Sequence, residues 1–235
     1  MAHPGTNPTV TVPVVAGHPP DVAALWSQLA EPAEFFGFAM PPVEHLADAI
    51  ALFIDSAVAA TTIFALHVTI VERGGATHFA VAGSEVQSSR RDVVRLDTCD
   101  ASLPLTRSTD PWWRRMAART TSKADADGLR RWLEGRGYVD AVPSAPAPGA
   151  PALGALVFVR NGEHYGVDDH EPTSILTQLQ ECGAIGPLHR VQGCPVEAER
   201  VWWISPGYEY HPVAAIGAST YPVDESAVPP FARMP

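Results

Sequence analysis

Lysine is almost absent from this sequence of 235 residues: Lys123 is the only one, and the other 15 basic residues are arginines. An arginine side chain stays protonated and cannot replace a lysine amine as a nucleophile. Any reaction that depends on a lysine amine would therefore have to use Lys123.

Positive charge is scarce as a whole. The 16 lysine and arginine residues are outnumbered by 26 aspartates and glutamates, which gives a formal net charge of −10 with histidine neutral. A chain of this charge does not attract a phosphate backbone or an anionic lipid surface. We therefore expect neither a nucleic-acid partner nor a membrane partner.

Cysteine and the common catalytic loops are also rare or missing. The three cysteines form no C-x-x-C and no close pair with a histidine, which argues against a disulfide framework and against a zinc site. The sequence contains no G-x-G-x-x-G, no P-loop and no G-x-S-x-G. We predict no metal site, and these motifs give no support to a nucleotide-binding protein or a serine hydrolase.

Long hydrophobic runs are absent as well. The longest apolar stretch, from Leu46 to Val71, is interrupted by polar residues such as Asp48, Asp55 and His67. The N-terminus has neither the basic nor the apolar segment of a signal peptide. We expect a cytoplasmic protein without a membrane span.

The apolar residues that are present, 46% of the chain, suffice for one large core or two modest ones. In the first hundred residues, hydrophobic periodicity predicts a helix from Leu46 to Ala57. It also predicts strands over 9–15, 62–71, 77–81 and 93–97. This half of the chain is therefore of the α+β class.

A polar stretch between Cys99 and Pro111 is the predicted domain junction. It separates a smaller N-terminal α+β domain, 1–105, from a larger C-terminal domain, 106–235. The larger domain is predicted to contain a helix over 123–136, strands over 138–142 and 153–160 around a loop at 143–151, a hairpin turn at Asn161-Gly162, a helix from Pro172 to Gly183, and strands over 200–205 and 213–216.

Three stretches of the second half have the order and spacing of a known family. They are Leu133–Val142 (LEGRGYVDAV), Ala155–Gly166 (ALVFVRNGEHYG) and Arg200–Ile216 (RVWWISPGYEYHPVAAI). Together they resemble the class IV pyridoxal-phosphate aminotransferases and aminodeoxychorismate lyases. The resemblance implies a D-amino acid aminotransferase-like fold, mixed α/β with two domains and a cleft between them, and a homodimer.

The resemblance also implies where the cofactor residues of the family would fall. Alignment without gaps on Gly137 puts the Schiff-base lysine of the family at Arg119 and its pyridine-nitrogen glutamate at about Pro151. Arginine cannot form the Schiff base, and proline carries no charge. A slip of four residues, one helical turn, would instead make Lys123 the Schiff-base lysine, and both alignments remain open.

The remaining candidates are polar residues that could act without the cofactor. Arg119 could grip a carboxylate or phosphate, with Arg107 as a second cation. Thr173 and Ser174, at the start of a predicted helix, could bind an anion, although such residues are also ordinary helix caps. The loop that lines the cleft in the family contributes the acid/base candidate His211 and, as donors, Tyr208 and Tyr210.

These observations leave three hypotheses. The first is a protein of the class IV type that uses no cofactor, binds a small anionic metabolite through Arg119, and catalyses a proton transfer, an elimination or a rearrangement with His211 or a tyrosine. The second is a pyridoxal-phosphate aminotransferase or lyase that uses Lys123. The third is a binding or scaffold protein without catalysis.

Overall fold

The computed structural model describes residues 6–15, 19–57, 63–86, 92–100, 112–145, 149–169, 173–194, 196–223 and 229–233. In chain order its elements are β1 (Thr9–Val15), α1 (Val22–Phe36), α2 (Val43–Ala57), β2 (Ile63–Arg73), β3 (Ala76–Glu85), β4 (Val94–Asp100), α3 (Trp112–Ala118), α4 (Ala124–Glu134), β5 (Asp140–Ala145), β6 (Ala155–Arg160), β7 (Glu163–Val167), α5 (Ile175–Glu181), β8 (His189–Arg190), β9 (Arg200–Ile204), β10 (Tyr210–Ile216) and β11 (Ser219–Thr220).

The chain divides into two compact units built from interleaved segments. Unit 1 comprises Met1–Glu85 and Thr106–Ala124, and unit 2 comprises Val86–Leu105 and Asp125–Met234. We expected one boundary, between residues 105 and 106. The chain instead passes between the units at three points, because β4 pairs with strands of the second half while the segment before α4 bonds to β1.

Unit 1 is an antiparallel sheet in the order β1-β2-β3 with helices packed on one face. Alternate residues of β1 and β2, such as Val12, Leu66 and Val68, join α1 and α2 in a common core. Residues with the opposite orientation include Thr11 and His67, which are register partners. The alternation of apolar and polar side chains therefore separates a core face from a second, more polar face.

The sequence predicted α2 and the three strands of this sheet but not α1. Asp21 caps the start of α1 by accepting a hydrogen bond from the Ala24 N–H, and Gly37, with φ of 74°, ends the helix. Pro32 lies inside α1. A proline in mid-helix is usually a breaker, which is why the pattern did not predict this element.

Unit 2 is an eight-stranded mixed sheet, ordered β5-β4-β10-β9-β6-β7-β8 with β11 on β10. Strand β4 runs parallel to both β5 and β10, whereas β6, β7, β9 and β10 pair with one another antiparallel. Both faces of the central strands are covered, since every residue from Ala155 to Val159 is buried. The predicted hairpin at Asn161-Gly162 is confirmed, with φ of 53° and 76°.

Several elements of unit 2 differ from the prediction. Strand β5 extends to Ala145, into the predicted loop, because Pro143 and Ala145 continue the pairing with β4. A proline is tolerated there because β5 is an edge strand. Helix α5 begins at Ile175, and Pro172 lies outside the described residues. Strands β8 and β11, of two residues each, were not predicted.

Candidate functional site

Arg119 lies in unit 1, in a segment that extends the sheet beyond β1. The Thr9 N–H donates to the Arg119 carbonyl over 2.8 Å, and Pro8 and Thr120 form an antiparallel bridge. The Arg119 guanidinium contacts the Glu31 carboxylate of α1 at 2.6 Å. Glu31 thus offsets part of the charge of Arg119, and an anion would have to compete with it.

Lys123 follows the same segment, immediately before α4, and is exposed. Its backbone N–H donates to the Thr121 carbonyl at 3.1 Å. The charge of Lys123 reaches His67 on β2: the pKa of His67 is lowered by partial burial and, to a smaller extent, by Lys123. Lys123 thus contributes to the electrostatic surroundings of His67, whereas Arg119 is paired with a carboxylate.

His67 belongs to a polar face of the small sheet, which we define as Thr9, Thr11, His67 and Thr69. The Thr11 hydroxyl lies 2.9 Å from His67 Nδ1, and the Thr9 and Thr69 hydroxyls are 2.9 Å apart. The contact with Thr11 holds the imidazole of His67 against β1.

The sequence analysis did not select His67. A histidine in an apolar run suggested only an interruption of a hydrophobic segment. The signal that could have found it is the period of two, since Thr9 and Thr11 on β1 and His67 and Thr69 on β2 interrupt both strands in matching register. Arg107, the predicted second cation, lies outside the described residues.

Tyr208 and Tyr210 are core residues of unit 2. Their relative exposures are 2% and 4%. The Tyr208 hydroxyl donates to Gln178 Oε1 on α5 at 2.6 Å, and among the described residues the Tyr210 hydroxyl has no partner. Burial raises the pKa of both phenols. Neither hydroxyl is open to a dissolved small molecule in this structure.

His211 points to the opposite side of β10 from Tyr210. Its Nδ1 lies 3.3 Å from the Asp92 carbonyl, and its Nε2 lies 3.7 Å from Glu209. The ring is tilted against Trp203, with 5.5 Å between the ring centres. Both ring nitrogens of His211 therefore lie near oxygen atoms of the fold.

Asp140, at the start of β5, is a buried carboxylate that the sequence analysis did not select. It accepts hydrogen bonds from the backbone N–H groups of Ala141, Leu153 and Gly154 and from the Trp203 indole. Burial nevertheless raises the pKa of Asp140 to about 6. The carboxylate ties the loop before β6 to β9.

Gly154 shows how closely this loop approaches the sheet. A Cβ at this position would collide with the Ile204 carbonyl oxygen and with the Trp203 indole. Only glycine leaves room for the short bonds to Asp140. The loop before β6 is therefore packed against its neighbours in unit 2.

Thr173 and Ser174 precede α5, as predicted, but Ser174 acts as a helix cap. Its hydroxyl accepts from the Thr177 N–H and contacts the Thr177 hydroxyl at 2.9 Å. Arg190 donates to Thr177 and is ion-paired with buried Asp168. Ser174, Thr177 and Arg190 are thus engaged within the fold.

The described residues hold no group of three or more histidine, cysteine or acidic side chains that could bind a metal ion. None of the described helices is long and apolar enough to cross a membrane.

Comparison with known proteins identifies the fold but no close relative. No protein-family model matches the chain, and no curated protein matches its sequence. Among solved structures, the PLP-bound form of a hypothetical aminotransferase from Mycobacterium tuberculosis is 18% identical, with a TM-score of 0.64 over 96% of this chain and 86% of that chain.

Two further solved structures have a similar fold. A fold IV transaminase from Curtobacterium pusillum is 20% identical, with a TM-score of 0.59 over 94% of this chain and 80% of that one. A putative 4-amino-4-deoxychorismate lyase from Legionella pneumophila is 14% identical, with a TM-score of 0.56 over 94% and 87%. The chain has the class IV aminotransferase fold.

The residues that a class IV fold would offer to pyridoxal phosphate can be tested against this structure. Pro151, at the position implied for the pyridine-nitrogen carboxylate, is buried and has no acidic group. The nearest carboxylate in sequence, Asp140, already accepts four hydrogen bonds. The Ser174 hydroxyl contacts the Thr177 hydroxyl of α5, which also accepts from Arg190. Under the gap-free alignment, these described residues therefore offer no carboxylate to the pyridine nitrogen of the cofactor.

Proposed function

We propose that this protein of the class IV fold binds a small anionic metabolite without forming a Schiff base to pyridoxal phosphate. The proposal is supported by Arg119, the residue at which the gap-free alignment on Gly137 would put the family lysine. Its guanidinium lies 2.6 Å from Glu31, and it has no nucleophilic amine.

The binding group in this proposal is the pair of cations in unit 1, Arg119 and Lys123. An arginine can hold a carboxylate or phosphate through two parallel hydrogen bonds, whereas lysine acts as a compact point charge. Glu31 offsets part of the positive charge of Arg119. The anion must therefore displace the Glu31 carboxylate from Arg119 or bind Lys123 as well. These two cations define the class of ligand as a small carboxylate or phosphate.

For catalysis we propose a proton transfer, an elimination or a rearrangement that needs no cofactor, with His211 as the acid/base residue. The support for His211 is its orientation between Glu209 and the Asp92 carbonyl. The burial of both tyrosine hydroxyls favours His211 over Tyr208 and Tyr210 for this role. We also propose, from the class IV fold, a homodimer in the cytoplasm.

The experiment is a binding titration of the purified chain with small carboxylates and phosphates, followed by calorimetry. Arg119→Gln should weaken binding at least about tenfold, the usual effect of losing one charge-assisted contact. The matched control is Arg130→Gln, an exposed arginine of α4 paired with Asp127, which should leave affinity unchanged. Equal affinity in wild type and Arg119→Gln would contradict the role of Arg119.

The second candidate function is a pyridoxal-phosphate aminotransferase or lyase that uses Lys123. The observation in its favour is that Lys123 lies near enough to lower the pKa of His67, together with the printed description of the Mycobacterium tuberculosis structure as PLP-bound. Absorbance spectra after addition of pyridoxal phosphate decide between the two. A visible band that is present in wild type and lost in Lys123→Gln would establish this function and overturn the first.

The third candidate is a binding or scaffold protein without catalysis. Unit 2 favours it, because polar side chains there are hydrogen-bonded within the fold. A His211→Asn variant separates it from the first function. If the ligand found by titration is turned over by wild type and not by this variant, catalysis is established. If wild type binds the ligand and leaves it unchanged, the protein is a binder.

A further inference from the structure

We propose that the anion site at Arg119 selects carboxylates that carry an aromatic ring, with the Trp112 indole as a second ligand-binding group and Glu31 as an internal carboxylate that the ligand replaces. The inference rests on the proposed function, since it takes the anionic ligand and the role of Arg119 from there. It adds a binding residue and a substrate class to that function.

The Glu31 carboxylate is held by two donors, one for each of its oxygens. Its Oε2 lies 2.6 Å from Arg119 Nη1, and its Oε1 accepts a hydrogen bond of 3.3 Å from Trp112 Nε1. Both donors belong to one short stretch of chain, since Trp112 begins α3 and Arg119 directly follows that helix. The carboxylate of a small ligand has the same two oxygens in the same plane, so it can form both contacts in place of Glu31.

The contacts of Glu31 are open to exchange. The side chains of Arg119 and Glu31 are 38% and 49% exposed. Water screens an ion pair of this exposure, so the pair adds little to the stability of the fold. The Glu31 side chain can also change its rotamer without a movement of α1. A ligand that replaces Glu31 therefore disturbs little of unit 1.

The aromatic residues beside this site favour a ligand with a ring. The Trp112 ring packs edge-to-face against Phe35 of α1, with 4.7 Å between the ring centres and 76° between the planes. Trp112 nevertheless remains 51% exposed. An exposed indole next to a carboxylate position offers a planar apolar surface to a ring that the carboxylate carries. Acetate and inorganic phosphate have no group that could use this surface.

Trp112 also has a structural role, because it ties α3 to α1 through Glu31 and Phe35. The structural role and the ligand-binding role differ in what they predict. If Trp112 only tied the helices together, its replacement would change stability and would affect all anions alike. If Trp112 binds the ligand, its replacement changes the preference between a carboxylate with a ring and one without.

The test is a calorimetric titration of the chain with acetate, phenylacetate and inorganic phosphate at constant ionic strength. Phenylacetate should bind about fivefold more tightly than acetate, which is the usual gain from one aromatic contact. Phosphate should bind more weakly than phenylacetate. Benzyl alcohol, which has the ring without the carboxylate, should show no binding at the concentrations that saturate with phenylacetate.

Two variants separate the indole N–H of Trp112 from its ring. Trp112→Phe removes the N–H and keeps a ring, so it should weaken acetate and phenylacetate about threefold each. Trp112→Leu removes the ring as well and should make the two affinities nearly equal. The matched control is Trp113→Leu, because this indole is also exposed but lies about 100° around α3. It should change neither affinity. Circular dichroism confirms that each variant is folded.

The outcomes separate this inference from the function on which it rests. Equal affinities of wild type for acetate and phenylacetate, or a preference that survives in Trp112→Leu, would overturn the inference. So would tighter binding of phosphate than of phenylacetate, or an unchanged acetate affinity in Trp112→Phe. In each of these cases a loss of anion binding in Arg119→Gln leaves the proposed function standing.

Failure of all three anions and of the metabolites titrated above to bind would remove both the inference and the proposed function. A preference for phenylacetate that is lost in Trp112→Leu and kept in Trp113→Leu supports the inference.

Discussion

The two sheets of this protein differ in where their polar side chains lie. In unit 2, β6 and β9 are buried on both faces, and the carboxylate of Asp140 and the hydroxyl of Tyr208 are used inside the fold. In unit 1, β3 alternates between exposed and half-buried residues, and one face carries His67. The larger sheet uses its polar groups to hold itself together, whereas the smaller one leaves titratable groups at a surface.

The largest expected effect tests the claim that unit 2 is buried on both sides. Trp202, with 0% exposure, packs at 5.3 Å against Phe231. Trp202→Ala should lower the free energy of unfolding by about 4 kcal/mol, because it opens a large cavity. Trp113→Ala, at 59% exposure, should cost less than about 1 kcal/mol. Urea denaturation measures the free energy of unfolding of both variants. Equal losses of stability would contradict the difference between a buried and an exposed tryptophan.

The next effect tests whether unit 1 has a single buried face. Leu66 and Thr69 lie on opposite faces of β2. Leu66→Ala should cost about 3 kcal/mol, since this side chain is fully buried in the core. Thr69→Ala should cost no more than about 1 kcal/mol, the usual value of one hydrogen bond. A loss in Thr69→Ala as large as that in Leu66→Ala would mean that the polar face is a second core.

The pH dependence of Asp140 tests whether the polar groups of unit 2 are internal. Because its pKa is raised from 3.8 to about 6, the folded protein binds a proton more tightly than the unfolded chain. The stability that Asp140 contributes is fully present below about pH 4 and is lost as the pH rises through 6, by at most about 3 kcal/mol.

Asp140→Asn removes this titration and should flatten that part of the stability profile. Denaturation curves between pH 4 and 7 for wild type and variant give the difference. Asp127→Asn, an exposed acid on α4, is the control and should retain the slope. Profiles of wild type and Asp140→Asn that run parallel would show that Asp140 does not titrate in this range.

The smallest effect concerns the ion pair in unit 1. Arg119 and Glu31 are 38% and 49% exposed, so solvent screens their attraction. Glu31→Gln should change stability by no more than about 0.5 kcal/mol. It should nonetheless strengthen the binding of acetate, because it frees the guanidinium of Arg119. Unchanged acetate affinity in this variant would show that Arg119 does not bind the anion.

Much of the architecture was accessible from the sequence because it depends on local pattern. Periodicity in 46–57 and 62–71 and the Asn161-Gly162 turn each reflect short-range physics, and all three are confirmed. Helix α1 was missed because Pro32 suggests a break, and the structure accommodates it within the helix. The class IV fold followed from the order and spacing of three stretches, and the solved structures confirm it.

The site residues were less accessible because their roles depend on contacts between distant segments. Tyr208 and Tyr210 were predicted next to an acid/base residue, yet alternation along β10 and the Gln178 contact put both hydroxyls in the core. Asp140 meets Trp203, 63 residues away, and His67 meets Thr11, 56 residues away. Such pairs form only where the fold brings distant segments together.

The interleaving of the two units has a consequence for synthesis. Unit 1 needs residues 119–121 to complete the outer edge of β1, and β1 begins at Thr9. A chain that emerges from the ribosome N-terminus first exposes this edge until more than a hundred further residues have been made. The small sheet is thus finished only after β4 of the other unit has already been translated, and a fragment cut at residue 85 would lack its last edge contact.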